Sequence, residues 1–261
     1  MQKYSHNYSV ILDNMDLIEY RLKPISAIMY IQDAFARYCA TKNMAAYHLF
    51  PKNLYWIVSE FNIEFTDNLP FWSEEIRAEI WTSELTKLRL YTDFRLYYKE
   101  REVAKGYCCW FIIDQASKRP VKTDFIADRI QVCNELTLGE HKKFSLSEMQ
   151  DKVCDIVHKN NLTDIDFNKH VNNKSYLNIA EATATDEFRK THSLKTLNIK
   201  YIRESFLNDE LVCSAYRTAE PKTFVHRITK DGEAICEIQT SWIEKDIKEH
   251  ILGYDLAVER E

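Results

Sequence analysis

Pro24-Ile25-Ser26-Ala27-Ile28-Met29-Tyr30-Ile31-Gln32-Asp33-Ala34-Phe35-Ala36-Arg37-Tyr38-Cys39 is followed, beyond Pro51, by Tyr55-Trp56-Ile57-Val58-Ser59-Glu60-Phe61-Asn62-Ile63-Glu64-Phe65, and the period changes between the two runs. In the first run Ile25, Ile28, Met29, Gln32, Phe35, Ala36 and Cys39 recur at i, i+3, i+4 spacing. That spacing predicts a long amphipathic helix opened by Pro24. The second run is aromatic and β-branched and ends in strict alternation, the pattern of a half-buried strand. Further strand-like runs cover 75–83, 88–98 and 103–113, with Lys99-Glu100-Arg101-Glu102 as a polar hairpin connection. Ser9-Val10-Ile11-Leu12 reads as a strand ahead of the helix. One long helix followed by an antiparallel meander is an α+β unit.

The same order recurs. Cys154-Asp155-Ile156-Val157-His158 is a strand candidate, and Tyr176, Ile179, Ala180, Thr183, Ala184 and Phe188 fall on one face of a second helix. Strands are expected over 195–203, 210–217, 222–229 and 234–242, with Lys230-Asp231-Gly232-Glu233 marking the last hairpin. Phe61-Asn62-Ile63-Glu64-Phe65 can be laid on Leu197-Asn198-Ile199-Lys200-Tyr201, and Glu75-Ile76 on Glu210-Leu211. The intervening stretch is polar and of mixed charge. The expected division is an N-terminal unit over 1–125, a linker over 126–150 and a C-terminal unit over 151–261.

Composition narrows the function. A net charge of −5 argues against a general nucleic-acid binder. No apolar run is long enough to span a bilayer, and the N-terminal residues lack the apolar core of a signal peptide. Seven cysteines occur without a CxxC pair or a Cys/His zinc spacing, so no metal is implied and a reduced, cytoplasmic protein is expected.

Chemistry concentrates in Asp164-Ile165-Asp166-Phe167-Asn168-Lys169-His170-Val171-Asn172-Asn173-Lys174-Ser175-Tyr176, ahead of the second helix. Asp166, Asn168 and His170 alternate, so an extended backbone would send all three side chains to one side. Helix capping explains one of the asparagines but not the array before it. Overlaying the helices by Tyr30 and Tyr176 puts Tyr20, Leu22 and Pro24 opposite the trio. One site per chain is therefore expected, with the N-terminal unit supplying scaffold and apolar pocket.

This motif resembles the signature of the acyl-acyl carrier protein (acyl-ACP) thioesterases. Tyr201-Ile202-Arg203-Glu204-Ser205 is similar to a second block of that family, and Trp56-Ile57-Val58 and Trp110-Phe111-Ile112-Ile113-Asp114 extend the likeness over most of the chain. The resemblance implies a tandem double hot-dog fold, each half an antiparallel sheet wrapped around one long helix. It implies hydrolysis of a fatty acyl-ACP thioester without a cofactor. The implied catalytic set is Asp166, Asn168, His170 and Glu204, with Asp166 or Glu204 as the base. Val171, Asn172, Asn173 and Tyr176 are expected at the substrate, and backbone N–H groups of 171–173 as oxyanion donors. The family's cysteine after the glutamate is Ser205 here, which removes a cysteine nucleophile at that position and favours water.

The expected partner is an acyl carrier protein, and a homodimer is the assembly considered. Arg189, Lys190, Lys195, Lys200 and Arg203 are the candidate basic patch for an acidic carrier. The alternatives are an acyl-CoA thioesterase on the same fold and a non-catalytic fatty-acyl binding protein. A hot-dog hydratase fits less well, because the Asp to His spacing is one residue shorter than Asp-x-Asn-Pro-x-His.

Overall fold

The structure is a computed structural model and describes residues 3–16, 20–66, 68–166 and 169–245. Among the described residues the alternating runs become ten strands: β1 Tyr4–Ser9, β2 Leu54–Phe65, β3 Glu75–Leu85, β4 Leu90–Tyr98, β5 Arg101–Asp114, β6 Lys152–Lys159, β7 His192–Tyr201, β8 Glu210–Arg217, β9 Thr223–Lys230 and β10 Glu233–Glu244. All pair antiparallel in one sheet of order β1-β3-β4-β5-β2-β7-β10-β9-β8-β6. The helices are α1 Pro24–Thr41, α2 Ala46–Leu49, α3 Asn173–Glu181 and α4 Asp186–Thr191. The fold is the tandem hot-dog that the resemblance implies.

The sheet is continuous because β2 pairs with β7, and Asn62 stands opposite Asn198 there. These are the two asparagines that the internal repeat lays on each other. A pseudo-two-fold therefore runs through their pair, with Phe61 facing Ile199 and Ile63 facing Leu197. Glu75 opposite Ser9 and Glu210 opposite Lys159 obey the same relation.

Three expectations change in detail. The first strand is β1, ending at Ser9, because Tyr4–Ser9 alternates and pairs along β3. The residues after it turn instead, and Leu12–Asn14 forms one 3-10 turn with Met15 N–H donating to the Leu12 carbonyl. The second helix is not continuous through Phe188. It ends at Glu181, the Thr183 hydroxyl bonds back to the Ala180 carbonyl, and the Thr185 hydroxyl caps α4 by accepting from Phe188 N–H. The Lys99-Glu100 connection is a two-residue turn with both residues at positive φ, 49° and 62°, so the strands reach further into it than expected.

Residues 130–151 contain neither helix nor strand, yet they are tied to the sheet. Cys133 N–H donates to the Thr82 carbonyl, Thr137 N–H to Asp93, and Ser147 N–H to the Gln239 side chain. The stretch is a strap that crosses from one half to the other. Within the core, Phe61, Phe94 and Trp81 are fully buried, and each contributes about 1.5–3 kcal/mol by leaving water.

Candidate active site

The motif closes as a tight loop. Ile165 and Val171 form an isolated antiparallel bridge, Asp166 N–H donates to the His170 carbonyl at 2.9 Å, and Lys169 adopts a left-handed φ of 65°. The described backbone thus turns back on itself, so Asp166 and His170 are not placed by the alternation of an extended strand. Asn168, like Phe167, lies outside the described residues. Beneath the loop Asp164 is buried and accepts from Asn161 N–H and His158 Nε2, both at 2.9 Å, while its carbonyl accepts from Asn172 N–H at 2.7 Å. Burial alone would raise the Asp164 pKa, but these donors outweigh it and lower it.

Glu204 follows β7 and reaches the loop from the strand side. Its Oε1 lies 3.5 Å from His170 Nδ1 and accepts from the Tyr55 hydroxyl at 3.2 Å. Its Oε2 is 3.6 Å from Lys118 Nζ, which also donates to the Tyr55 hydroxyl at 3.3 Å. Burial works to lower the Lys118 pKa, but the Tyr55 hydroxyl and the Glu204 charge outweigh it and raise it. Burial raises the Tyr55 pKa, and the Glu204 charge adds to that. Tyr55 and Lys118 belong to the N-terminal half, which was expected to supply only scaffold and apolar wall. That expectation is corrected: the first half sends two polar groups to the site.

Asp166 Oδ1 accepts from the backbone N–H of His170 at 3.3 Å, so this carboxylate helps hold the loop. Of the expected oxyanion donors, Val171 N–H is spent on the Ser205 carbonyl at 3.0 Å and Asn172 N–H on Asp164. Asn172 caps α3 through its side chain, accepting from Lys174 N–H at 2.9 Å. The Asn173 N–H, at the first position of α3, is the member of the three left to face an anion. Ser205 is fully buried, 2.8 Å from the Tyr176 hydroxyl and accepting from Asn160 Nδ2 at 3.3 Å. It is a clamp between α3 and β7, and burial pushes the Tyr176 phenol up to about 12.

Asp166, His170, Val171, Asn172, Asn173, Tyr176 and Glu204 all line one cavity of about 450 Å³. The opposite wall is Met29, Phe35, Ala36, Cys39, Trp56 and Trp110. Phe35 stacks on Trp110 at 3.7 Å and meets Trp56 edge-on at 5.3 Å. Met29, Gln32, Ala36 and Cys39, read from periodicity as a core stripe, face this cavity, while Ala27, Ile31 and Ala34 are fully buried beside them. The Gln32 amide nitrogen is buried there without a partner.

The proposed basic patch disperses. Arg189 pairs with Asp16 at 2.5 Å, Lys195 with Glu64 at 3.1 Å, and Lys200 lies over the Phe144 ring. Arg203 alone of that group lines the cavity, and it is paired with Glu233. Among the described residues no His, Cys, Asp and Glu group is arranged to hold a metal, and no helix is long and apolar enough to cross a membrane.

The loop bridges also correct the overlay of the halves. Met15 and Leu22 form the counterpart of the Ile165–Val171 bridge, and Lys23 and Asn172 are the matching N-caps. Asp16 therefore corresponds to Asp166 and Arg21 to His170, and the first-half loop, 16–21, is one residue longer than 166–170. Matching Tyr30 to Tyr176 misplaced them because those rings come from different helix turns.

The model of the acyl-ACP thioesterase N-terminal domain matches residues 1–128, and that of the C-terminal domain matches 148–244. The chain belongs to the acyl-ACP thioesterase family. Relatives include the chloroplastic palmitoyl-acyl carrier protein thioesterase of Arabidopsis thaliana, 25% identical over 166 residues, which are 60% of this chain and 40% of that protein. The chloroplastic oleoyl-acyl carrier protein thioesterase 2 of the same plant is 25% identical over 190 residues, 68% of this chain and 51% of that protein. The chain thus spans about half the length of these curated relatives, or less. Among solved structures, an acyl-ACP thioesterase from Bacteroides thetaiotaomicron superposes with a TM-score of 0.80 at 18% identity, covering 92% of this chain and 98% of that one. The 12:0-ACP thioesterase from Umbellularia californica gives 0.76 at 13%, covering 93% and 98%. At such identities these structures establish the shared fold.

Proposed function

We propose that this chain hydrolyses the thioester of a fatty acyl-ACP, releasing the fatty acid, by attack of water. The observation that carries the reading is the meeting of Glu204 and His170 at the mouth of a cavity whose other wall is aromatic and aliphatic. A thioester seated there would put its acyl chain against Trp56 and Trp110 and its carbonyl beside the polar cluster. Glu204 takes a proton from water as the water oxygen bonds to the carbonyl carbon. The C–O π electrons move to oxygen, and the helix N-terminus at Asn173 N–H faces that charge. The oxyanion then re-forms the carbonyl as the C–S bond breaks. The departing sulfur takes up the proton Glu204 received.

Glu204 is favoured over Asp166 as the base because its carboxylate lies at the cavity with Tyr55 and Lys118 fixing its orientation, while an Asp166 oxygen is engaged with the loop backbone. His170 orients the water or carbonyl, and Asn168 is assigned to the same task by its place in the motif. In this scheme the N-terminal unit, 1–125, holds the acyl chain, and the unit of 151–261 does the chemistry, joined through 126–150. Seven unpaired cysteines support a reducing, cytoplasmic setting.

The test is hydrolysis of acyl-ACP and acyl-CoA side by side. Glu204→Gln should lower kcat by about 10²–10⁴ with thermal stability kept, the range of a lost general base. Full activity in Glu204→Gln would sink the scheme. Loss of activity in a folded Ser205→Ala variant would restore a serine nucleophile, and preference for the CoA thioester would reassign the carrier.

A further inference from the structure

Across the pseudo-two-fold from the acyl cavity, α3, α4 and the faces of β7, β9 and β10 enclose a second cavity of about 230 Å³. It is the image of the first. Trp242 stands opposite Leu194 as Trp110 stands opposite Val58. Phe188 packs edge-on to Trp242 at 5.4 Å, where Phe35 packs on Trp110. Leu177, Ala180, Leu197 and Ile238 complete an apolar wall.

The polar groups within are already satisfied. His226 is buried, with Nδ1 3.1 Å from the Thr183 hydroxyl and Nε2 3.1 Å from the Thr240 hydroxyl. Burial pushes its pKa down to about 4, so it stays neutral near pH 7. The inner cavity therefore presents neither charge nor an open hydrogen bond at His226, and suits an apolar chain. Of the charged lining residues Arg217 is exposed, while Arg189 is half-buried and already paired with Asp16 at 2.5 Å and Glu181 at 3.4 Å. Arg217 therefore supplies the exposed cation of this rim. Under the duplication, the counterparts of His170 and Glu204 are Arg21 and Asn68, so the groups assigned to hydrolysis are missing on this side.

The geometry points to a second, non-hydrolytic site in the C-terminal half that holds a long-chain fatty acid, its chain along Trp242 and Leu197 and its carboxylate at Arg217 on the rim. This site is a matter of occupancy and stands whether or not Glu204 performs catalysis.

The experiment is a titration of the full chain with cis-parinaric acid, a fluorescent fatty acid. Two molecules per chain are expected. Ala184 lines the outer part of the second cavity and is only half-buried, so Ala184→Trp should fill the space, leave one molecule bound and keep hydrolysis within about twofold. Ala36→Trp, in the first cavity, should remove the other molecule and slow hydrolysis. Should Ala184→Trp unfold, Arg217→Glu on the exposed rim should weaken one of the two events about tenfold, roughly 1.4 kcal/mol. One molecule per wild-type chain, two in folded Ala184→Trp, or no change in Arg217→Glu overturns the site. A second event appearing only after residues 246–261 are removed also overturns it, and gives the cavity to the chain's own end.

Discussion

At the scale of single residues, the chain Lys118 to Tyr55 to Glu204 is the part that sequence reading did not reach. Glu204, His170 and Asp166 were legible because the motif and the block at 201–205 are short and local. Tyr55 and Lys118 were not, since Tyr55 is separated from Glu204 by 149 residues and looks like any ring in a strand-forming run. Tyr55→Phe removes a donor to a carboxylate, a bond worth about 1.5–3 kcal/mol. We expect kcat to fall about tenfold in that variant with KM nearly unchanged, read from steady-state hydrolysis; a wild-type kcat would make Tyr55 a bystander. Ser205 supplies a complementary prediction. Ser205→Cys restores the residue type of the family at a position sealed by Tyr176 and Asn160, so the folded variant should show no rapid iodoacetamide labelling at 205 and no acyl-enzyme burst. Either signal would reopen covalent catalysis.

At the scale of elements, the strands were the most legible part, because alternation follows from one buried face and one outer face. The helices were less so. The stripe of Met29, Gln32, Ala36 and Cys39 obeys the same spacing as a core face, and an acyl cavity asks for much the same residues as a core. From sequence the strap reads as a polar linker, because nothing local shows that His141 enters the sheet's polar cluster. His141 Nε2 lies 2.8 Å from Asp93 and Nδ1 3.0 Å from Glu84, with the ring stacked on Tyr91. Burial would lower the His141 pKa, but its bonds to Asp93 and Glu84 outweigh that and raise it. Asp93, pushed up by burial, is brought down further by His141, Ser83 and Thr137. A lowered Asp93 stabilises above the unfolded carboxylate value and loses its effect as pH falls through the folded one. A raised His141 stabilises fully below the unfolded imidazole value and loses its effect as pH rises through the folded one. Strap docking should thus be strongest between about pH 4 and pH 6.5. Limited proteolysis over 130–151 should speed up above that window in the wild type, and His141→Gln should flatten the dependence. A second element-scale prediction concerns Gly106, where a Cβ would fall 1.9 Å from the Asn62 carbonyl oxygen and 2.7 Å from the Phe94 ring. Gly106→Ala should cost about 3 kcal/mol in denaturant unfolding, and a loss under 0.5 would show that β2 can retreat.

At the scale of the whole molecule, duplication divides the labour and also sets the carrier problem. Among the described residues two cavities hang from one continuous sheet, and the one lined by Glu204 and His170 is the one to which the proposed hydrolysis is assigned. Under the proposed reading, a chain of net charge −5 would repel an acidic carrier at long range, so productive docking would need cations close to the mouth. Most of the basic residues picked from sequence are occupied elsewhere, and Arg203 is the one of them that lines the catalytic cavity. Its side chain is 58% exposed despite the pairing with Glu233, so it remains accessible to a second carboxylate. Arg203→Glu should therefore raise KM for acyl-ACP several-fold, with kcat for a neutral acyl-N-acetylcysteamine thioester unchanged. Wild-type activity on acyl-ACP should also fall as salt rises toward 0.5 M, where the Debye length is about 4 Å, whereas the neutral thioester should be indifferent. Equal losses on both substrates would place Arg203 in the chemistry instead of the docking. No loss on either would mean that the carrier approaches the mouth from another side.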